Sequence, residues 1–498
     1  MPLSQANWDN LFGNHLIAEQ RAYDVGEQSL LAEDNIDRFN VGQTSSFEQI
    51  MDSVLNGKGR LFFLNGPGGT GKTFVYNTVC AKIRSLAKIV LCVASSGIAA
   101  LLLSGGCTAH SHFKIPLNLS DTSTCPISKN SKEADLMRCT DCIIWDEAIM
   151  QHRHAFDAVD RLFQDVRDNS SPFGGVTVVF GGDFQQILPV ILKGSRPDIV
   201  GACLQCSSLW PDITILSLTQ NMQLGDDPEE SDFAKWQLDV GHGRHTSQEG
   251  DIILPERIRC PENTIESLIQ AIYPDIQGDH GDQYFKERTI LSARNDDVDN
   301  LNHSLLQQFS GQEITFHSAD SAEKERFDEG EDPMYPVEYL NSISASGLPL
   351  SKLKLKIGVP IMVLKNLDPA SGVCNGSRGI LTRASMRVLE VRLLDGDNAG
   401  QTVLIPRITL TPSNLPLPFQ LRCRQFPVHL AFAMTVNKSQ GQSVKYVGLD
   451  FRAPVFTHGQ FYVAISQVTS VHRIKVIWTS TNNEPKTKNI VYPEVLLD

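Results

Sequence analysis

The sequence predicts an α/β protein of several packed units built on parallel sheets. Three observations predict it. With 498 residues the chain is too long for a single core. From about residue 40 to 205, short β-rich runs alternate with helical stretches, the pattern of strand–helix–strand crossovers. The same alternation resumes after Trp210, interrupted by a segment of different composition.

Composition narrows the class further. The chain is 41% hydrophobic and 20% charged, ordinary for a folded protein. No apolar run approaches the roughly 18 residues of a membrane span, and no secretory signal is present, so no membrane partner and an intracellular location (nuclear in a eukaryotic host) are expected. Lys and Arg number 44 against 57 Asp and Glu, a net charge of −13, which argues against a uniformly basic coat or a polybasic membrane binder. A local basic groove remains open. The 11 cysteines are scattered and odd in number, which suits a reducing compartment. The pairs Cys139/Cys142 and Cys203/Cys206 have CxxC spacing but lie too far apart for one zinc ribbon, so buried free thiols are expected.

In chain order, residues 1–39 are a polar helical lead-in carrying Leu16, Tyr23, Leu30 and Leu31. Strands are expected at Leu61–Leu64, Ile89–Val93, Cys142–Trp145 and Val176–Phe180, with an irregular Ser/Thr/Asn/Pro-rich insertion over about 107–136. A second α/β tract would hold strands near Thr214–Leu218, Thr289–Leu291, Tyr446–Leu449 and Lys475–Trp478. Residues 317–338 form an acidic, loop-like stretch. Residues 352–424 hold eleven bases against four acids and have β character. Strand alternation there would place Lys352, Lys354 and Lys356 on one face and Leu353, Leu355 and Ile357 on the other. Such lysines either guard an exposed edge or line a nucleic-acid surface.

The strongest motif is Gly66-Pro-Gly68-Gly69-Thr70-Gly71-Lys72-Thr73, a complete G-x-x-x-x-G-K-[ST] between the run Arg60–Leu64 and a helical stretch. Its glycines let backbone N–H groups turn onto phosphate oxygens at a helix N-terminus. Lys72 would bridge the β- and γ-phosphates of ATP, and Thr73 would ligate Mg2+. The metal also needs an acid at a neighbouring strand end. Cys142-Ile-Ile-Trp-Asp146-Glu147 supplies it, with Asp146 for the metal and Glu147 as the base that polarises attacking water. An acid pair of this kind fits an ATPase better than a small kinase.

The ordered motifs resemble those of the Pif-type (petite integration frequency) DNA helicases of superfamily 1B, especially the branch encoded by Helitron transposons. The resemblance covers about residues 38–480. It starts at Gln43 in Phe39-Asn-Val-Gly-Gln43 and continues through the P-loop, Ala94–Ala100, Thr108-Ala-His110-Ser-His-Phe113 and Asp146-Glu147. Gly182-Asp-Phe-Gln-Gln186-Ile-Leu-Pro189, Thr435-Val-Asn-Lys438-Ser-Gln-Gly441 and Tyr462-Val-Ala-Ile-Ser-Gln467 complete the series.

The resemblance implies two RecA-like P-loop NTPase lobes, at 40–205 and at 206–310 with 426–498, around ATP. It also implies a wedge-like insertion at 107–136 and an SH3-like β domain inserted at 311–425. Gln43 would read the adenine, Gln186 would couple the γ-phosphate to DNA, and Gly441 would lie with the nucleotide-binding residues. Single-stranded DNA would meet His110, Phe113, Lys114, Lys352, Lys354, Lys356 and Lys438. The implied activity is ATP-driven 5′-to-3′ translocation and unwinding at duplex junctions by a monomer. It would serve repair, recombination, telomere maintenance or transposition. If the chain derives from a larger element protein, the nuclease and replication-initiator part lies outside this sequence.

The sequence departs from the pattern where cations should face ATP. Gln223 and Gln467 stand where related helicases carry arginine, and Gln185 stands where the Helitron branch does. Cys107 and His112 also replace expected arginines. All five are changes that a single C-to-T transition, on one strand or the other, would produce in a CG-containing arginine codon, as expected of a decaying transposon copy. The alternative reading is therefore a weakened relic that binds ATP and single strands without efficient cycling. An arginine finger is worth about 10³–10⁵ in turnover. Restoring both, Gln223→Arg with Gln467→Arg, is expected to raise DNA-stimulated ATP turnover by at least about tenfold in a steady-state assay. Unchanged turnover refutes the arginine-finger assignment.

Overall fold

The computed structural model describes all residues except 1–12, 225–226, 279, 324–334, 344–346, 370, 397, 413–416, 418, 443, 480–483 and 498. The core of the acidic stretch thus lies outside the described residues. The chain divides into two compact units: Met1–Thr246 with Thr457–Thr469 and Asn489–Asp498, and Ser247–Phe456 with Ser470–Lys488.

The first unit is organised by six parallel strands: β1 (Leu61–Asn65), β2 (Ile89–Ala94), β3 (Cys107–Thr108), β4 (Thr140–Asp146), β5 (Thr177–Gly182) and β6 (Ile213–Ser217). Their order is β3-β2-β4-β5-β1-β6. The inner strands are continuous apolar runs because both sheet faces are covered. Phe62, Leu64, Cys92 and Ile144 pack on one side with Ile50, Tyr76 and Val79. Phe63, Val93, Trp145 and Phe180 pack on the other with Phe113, Phe156 and Phe163. The helix Arg153–Arg167 supplies much of that second layer, burying Ala155, Phe156, Val159, Leu162, Phe163 and Val166 at helical spacing.

The strand expected near Thr214–Leu218 is present as β6, but not in a second tract. It pairs in parallel with β1, Leu61 opposite Ile213 and Asn65 opposite Ser217, and closes the first sheet. Sequence alternation cannot say which sheet a strand joins. In the lead-in, the helix Val25–Asp37 buries Ala32 and Asn35, whereas Leu30 and Leu31 are exposed. The CxxC pairs are each split, with Cys142 and Cys203 buried and Cys139 and Cys206 exposed, so the expected burial holds for only one thiol of each.

The second unit contains a four-stranded parallel sheet, in the order Ala433–Thr435, Arg288–Ser292, Tyr446–Phe451, Ile474–Trp478. The basic segment forms an antiparallel five-stranded sheet in the order Thr402–Pro406, Val388–Leu393, Arg378–Ala384, Pro360–Val363, Val428–Leu430. One apolar core joins both, running from Leu268, Ile290 and Leu305 to Leu381, Val391 and Ile405.

The lysine alternation holds only in part. Lys352–Leu355 is a strand, paired with Ile314–His317, and buries Leu353 and Leu355. It ends there, and the turn through Gly358 (φ 91°) reverses the pattern. Lys356 is buried and donates to the Phe309 carbonyl at 2.6 Å, while Ile357 is 46% exposed.

Phe113 is fully buried, its ring 5.7 Å from Trp145 and 5.8 Å from Phe163. Truncating a buried aromatic removes its transfer energy and leaves a cavity. Phe113→Ala is expected to cost about 3–5 kcal/mol in urea unfolding.

Candidate nucleotide and DNA site

The P-loop joins β1 to the helix Lys72–Ser85, and its glycines answer specific contacts. Gly71 caps the helix with φ 82° and ψ 27°. At Gly69, also φ 82°, a Cβ would lie 2.5 Å from Asn221 Oδ1. At Gly66 it would lie 2.6 Å from the Thr70 hydroxyl, while at Gly68 it would meet nothing within 4 Å. Two braces hold the loop from outside. Gln43 is 1% exposed, donates its amide to the Thr70 carbonyl at 3.1 Å and accepts from the Asn40 N–H. Met222 N–H donates to the Gly69 carbonyl at 2.8 Å. Gln43 thus sits behind the loop as a support.

Lys72 opens the helix, and its ammonium donates to the carbonyls of Gly66 and Pro67. Asp146, the last residue of β4, is 5% exposed; burial pushes its carboxyl up, with Lys72 opposing. Its Oδ1 accepts the Glu147 N–H at 2.9 Å. Glu147 has φ 51° and ψ 37°, a left-handed conformation that costs a non-glycine residue about 1–2 kcal/mol. Tyr76 approaches from the P-loop helix. A Cβ on Gly181 would fall 1.6 Å from its hydroxyl, so only glycine fits.

Sequence reasoning missed Asp183, just past the end of β5. It is 3% exposed, and burial raises its pKa against Lys72. Its Oδ1 accepts the Gln185 N–H at 3.1 Å; its Oδ2 accepts the Tyr462 hydroxyl at 3.0 Å and the Gln186 amide at 3.4 Å. The signal was available, since Asp183 follows an apolar strand as Asp146–Glu147 does. The side chain of Gln185 turns away and donates to His242 Nε2 at 3.2 Å, the ring's Nδ1 donating to the Leu238 carbonyl.

Beside the P-loop lies a cavity of about 270 Å³ lined by Gly69, Thr70, Asn221, Gln223 and Tyr462. Gln223 therefore borders the P-loop, its N–H donating to Asn221 Oδ1 at 2.9 Å. The Gln467 amide reaches back to the helix Gln460–Ile465 that precedes it and donates to the Val463 carbonyl at 3.1 Å.

This geometry can be set beside known proteins. The PIF1-like helicase family matches residues 38–251, and the 2B domain of DNA helicase Pif1 matches residues 338–383. Over these two stretches the chain is similar to the PIF1-like helicase family. The ATP-dependent DNA helicase PIF1 of Danio rerio is 29% identical over 447 residues, which are 88% of this chain and 61% of that protein. PIF1 of Homo sapiens is 27% identical, covering 84% of this chain and 58% of that protein. Pif1 of Bdellovibrio bacteriovorus is 27% identical over 84% of each. The chain thus spans about three fifths of the length of these vertebrate relatives. Its fold is that of Bacteroides Pif1 bound to ssDNA, with a TM-score of 0.62 at 23% identity over 91% of this chain and 94% of that one. Pif1 helicase from Candida albicans gives 0.63 at 22% identity over 92% and 98%. The expected α/β architecture with RecA-like parallel-sheet lobes is thereby established.

Within this PIF1-like chain the DNA candidates separate by burial. Phe113 is core, because its helix turns the ring onto Trp145, and it offers no face to a base. Lys356 is likewise withdrawn, buried against the Phe309 carbonyl. Lys354 is half-buried and paired with Glu313 at 2.9 Å. Lys114 and Lys352 are exposed, and His110 is half-buried, its pKa lowered by desolvation. Cys107 and His112 face each other, Sγ to Nδ1 at 3.3 Å. In the second unit Lys438 lines a cavity of about 150 Å³ with Asp299, His429 and Thr435. Desolvation lowers the Lys438 pKa, with Asp299 opposing. Gly441, three residues on, turns the chain at φ 79°.

The raised Asp183 pKa has a direct consequence for stability. The native state holds this proton more tightly than the unfolded chain, so stability falls as pH rises from the ordinary carboxylate range through the raised value. Above that value the whole cost is present. Asp183→Asn removes it and keeps an acceptor for Tyr462. The variant is expected to melt higher than the wild type at pH 7.5, with the gain shrinking towards pH 4 in calorimetry.

Proposed function

We propose that this chain is an ATP-dependent DNA helicase that translocates on single-stranded DNA and unwinds duplex junctions. The observation that carries it is one ammonium, Lys72, acting as counter-charge to two buried carboxylates, Asp146 and Asp183, at the mouth of a P-loop. That arrangement has the parts for phosphoryl transfer to water. Gly66–Thr73 would cradle the phosphates, and Lys72 would move from the loop carbonyls to the β- and γ-phosphates. Glu147 would polarise the attacking water, and Gln186 would sense the γ-phosphate.

Mg2+ fits the donors present. Two buried carboxylates around one cation leave the site short of positive charge, and the Thr73 hydroxyl with Asp146 would hold the metal. Bound there, it would neutralise charge developing on the phosphoryl oxygens. Several finer assignments belong to the same reading. They are membership of the Helitron-encoded branch, 5′-to-3′ polarity, a monomer, a nuclear site of action, and roles in repair, recombination, telomere maintenance or transposition. Residues 311–425 would be the inserted 2B domain and 107–136 the wedge. The resemblance of the motifs supports these assignments. The strand would meet Lys114, His110, Lys352 and Lys438, which keep accessible or cavity-lining positions.

Steady-state ATPase with and without single-stranded DNA tests the reading. Glu147→Gln is expected to lower DNA-stimulated turnover by about 10²–10⁴ while ATP binding persists. Lys72→Ala is expected to weaken both. A wild-type chain whose ATP turnover does not respond to single-stranded DNA sinks the proposal.

A further inference from the structure

Asp183 Oδ2 accepts two donors of unequal kind. The Tyr462 hydroxyl lies at 3.0 Å and the Gln186 amide at 3.4 Å, the outer limit of a hydrogen bond. The tyrosine is rigidly placed. It is 2% exposed, and a Cβ on Gly241 would lie 2.9 Å from its ring. Its segment is fastened to the 183–186 loop at two further points. His458 Nε2 bonds the Phe184 carbonyl at 2.8 Å. At Gly459, a Cβ would fall 2.5 Å from the Gln186 backbone, so the two chains touch directly. Burial and the neighbouring carboxylate keep the phenol protonated, hence a donor.

From this geometry we infer that Tyr462 is a positioning residue that lets Gln186 transfer from Asp183 to the γ-phosphate. A buried carboxylate that loses a hydrogen bond incurs its desolvation penalty. With Tyr462 in place, Oδ2 stays satisfied when Gln186 leaves, so the transfer costs little. Without the hydroxyl, Gln186 would be the principal side-chain donor to that oxygen, and its departure would strand a buried charge. Tyr462 thereby discriminates a nucleoside triphosphate from a diphosphate at this site. The same segment carries Gln467, so phosphate sensing and the weakened finger position are linked through one short stretch. This inference rests on the nucleotide-site assignment above.

The test is Tyr462→Phe in the full chain, titrated with fluorescent ADP and with the β,γ-imido analogue of ATP in the presence of Mg2+. ADP affinity is expected to stay within about twofold, which also reports folding, while analogue affinity falls about tenfold, the scale of one hydrogen bond to a charged group. With ATP, kcat should fall by a similar factor. Combining Tyr462→Phe with Asp183→Asn should cost no more than Asp183→Asn alone, because the effect runs through that carboxylate. Equal losses for both nucleotides, or no loss for either, overturn the inference. So does a wild-type chain that binds the analogue no better than ADP. If wild-type ATP turnover does not respond to DNA, the helicase reading fails while the two affinities still decide the role of Tyr462.

Discussion

One ammonium makes the first unit's site electrostatically possible. Asp146 and Asp183 end adjacent strands of a sheet whose faces are sealed by apolar layers, so both carboxylates lie where water cannot solvate them. Burial alone would keep such groups protonated. Lys72, delivered by the first turn of the P-loop helix, supplies the opposing charge. The loop that carries it is in turn held by Gln43 on one side and by Asn221–Met222 on the other. Much of the first unit's layout serves this group. β1 sits between β5 and β6 so that the P-loop, the Asp183 loop and the bracing segment leave the sheet side by side.

The parts legible in the sequence were those set by local pattern. The P-loop, the acid pair after an apolar strand, and seven of the eight named strands rest on spacing and hydrophobic runs, and these survive folding. What was not legible depends on partners far along the chain. β6 joins the first sheet by pairing along β1, Leu61 opposite Ile213 and Asn65 opposite Ser217, a partnership that no window of sequence records. Phe113 sits in a motif associated with the strand, yet its helix runs from Ala109 to Phe113 and turns the last ring into the aromatic layer. Asp183 was quoted as part of a motif, but one of its three donors, the Tyr462 hydroxyl, comes from a segment 279 residues further along the chain.

The charge arithmetic has a similar lesson. The basic excess over 352–424 is real, but its side chains are not equivalent. Lys356 spends its charge inside the fold and Lys354 on Glu313, whereas Lys352 keeps its own at the surface. A count of lysines therefore overstates the field available to phosphates, and the local strand boundary at Leu355 decides which of them contribute.

The left-handed backbone at Glu147 bears on the history of the chain. Glycine would adopt φ 51° without strain, so in a copy released from catalysis a drift from Glu147 to glycine would meet no conformational resistance and would relax the turn. The acid at that position is held against the backbone's own preference, so any reason for keeping it lies in the chemistry of the turn and not in its folding.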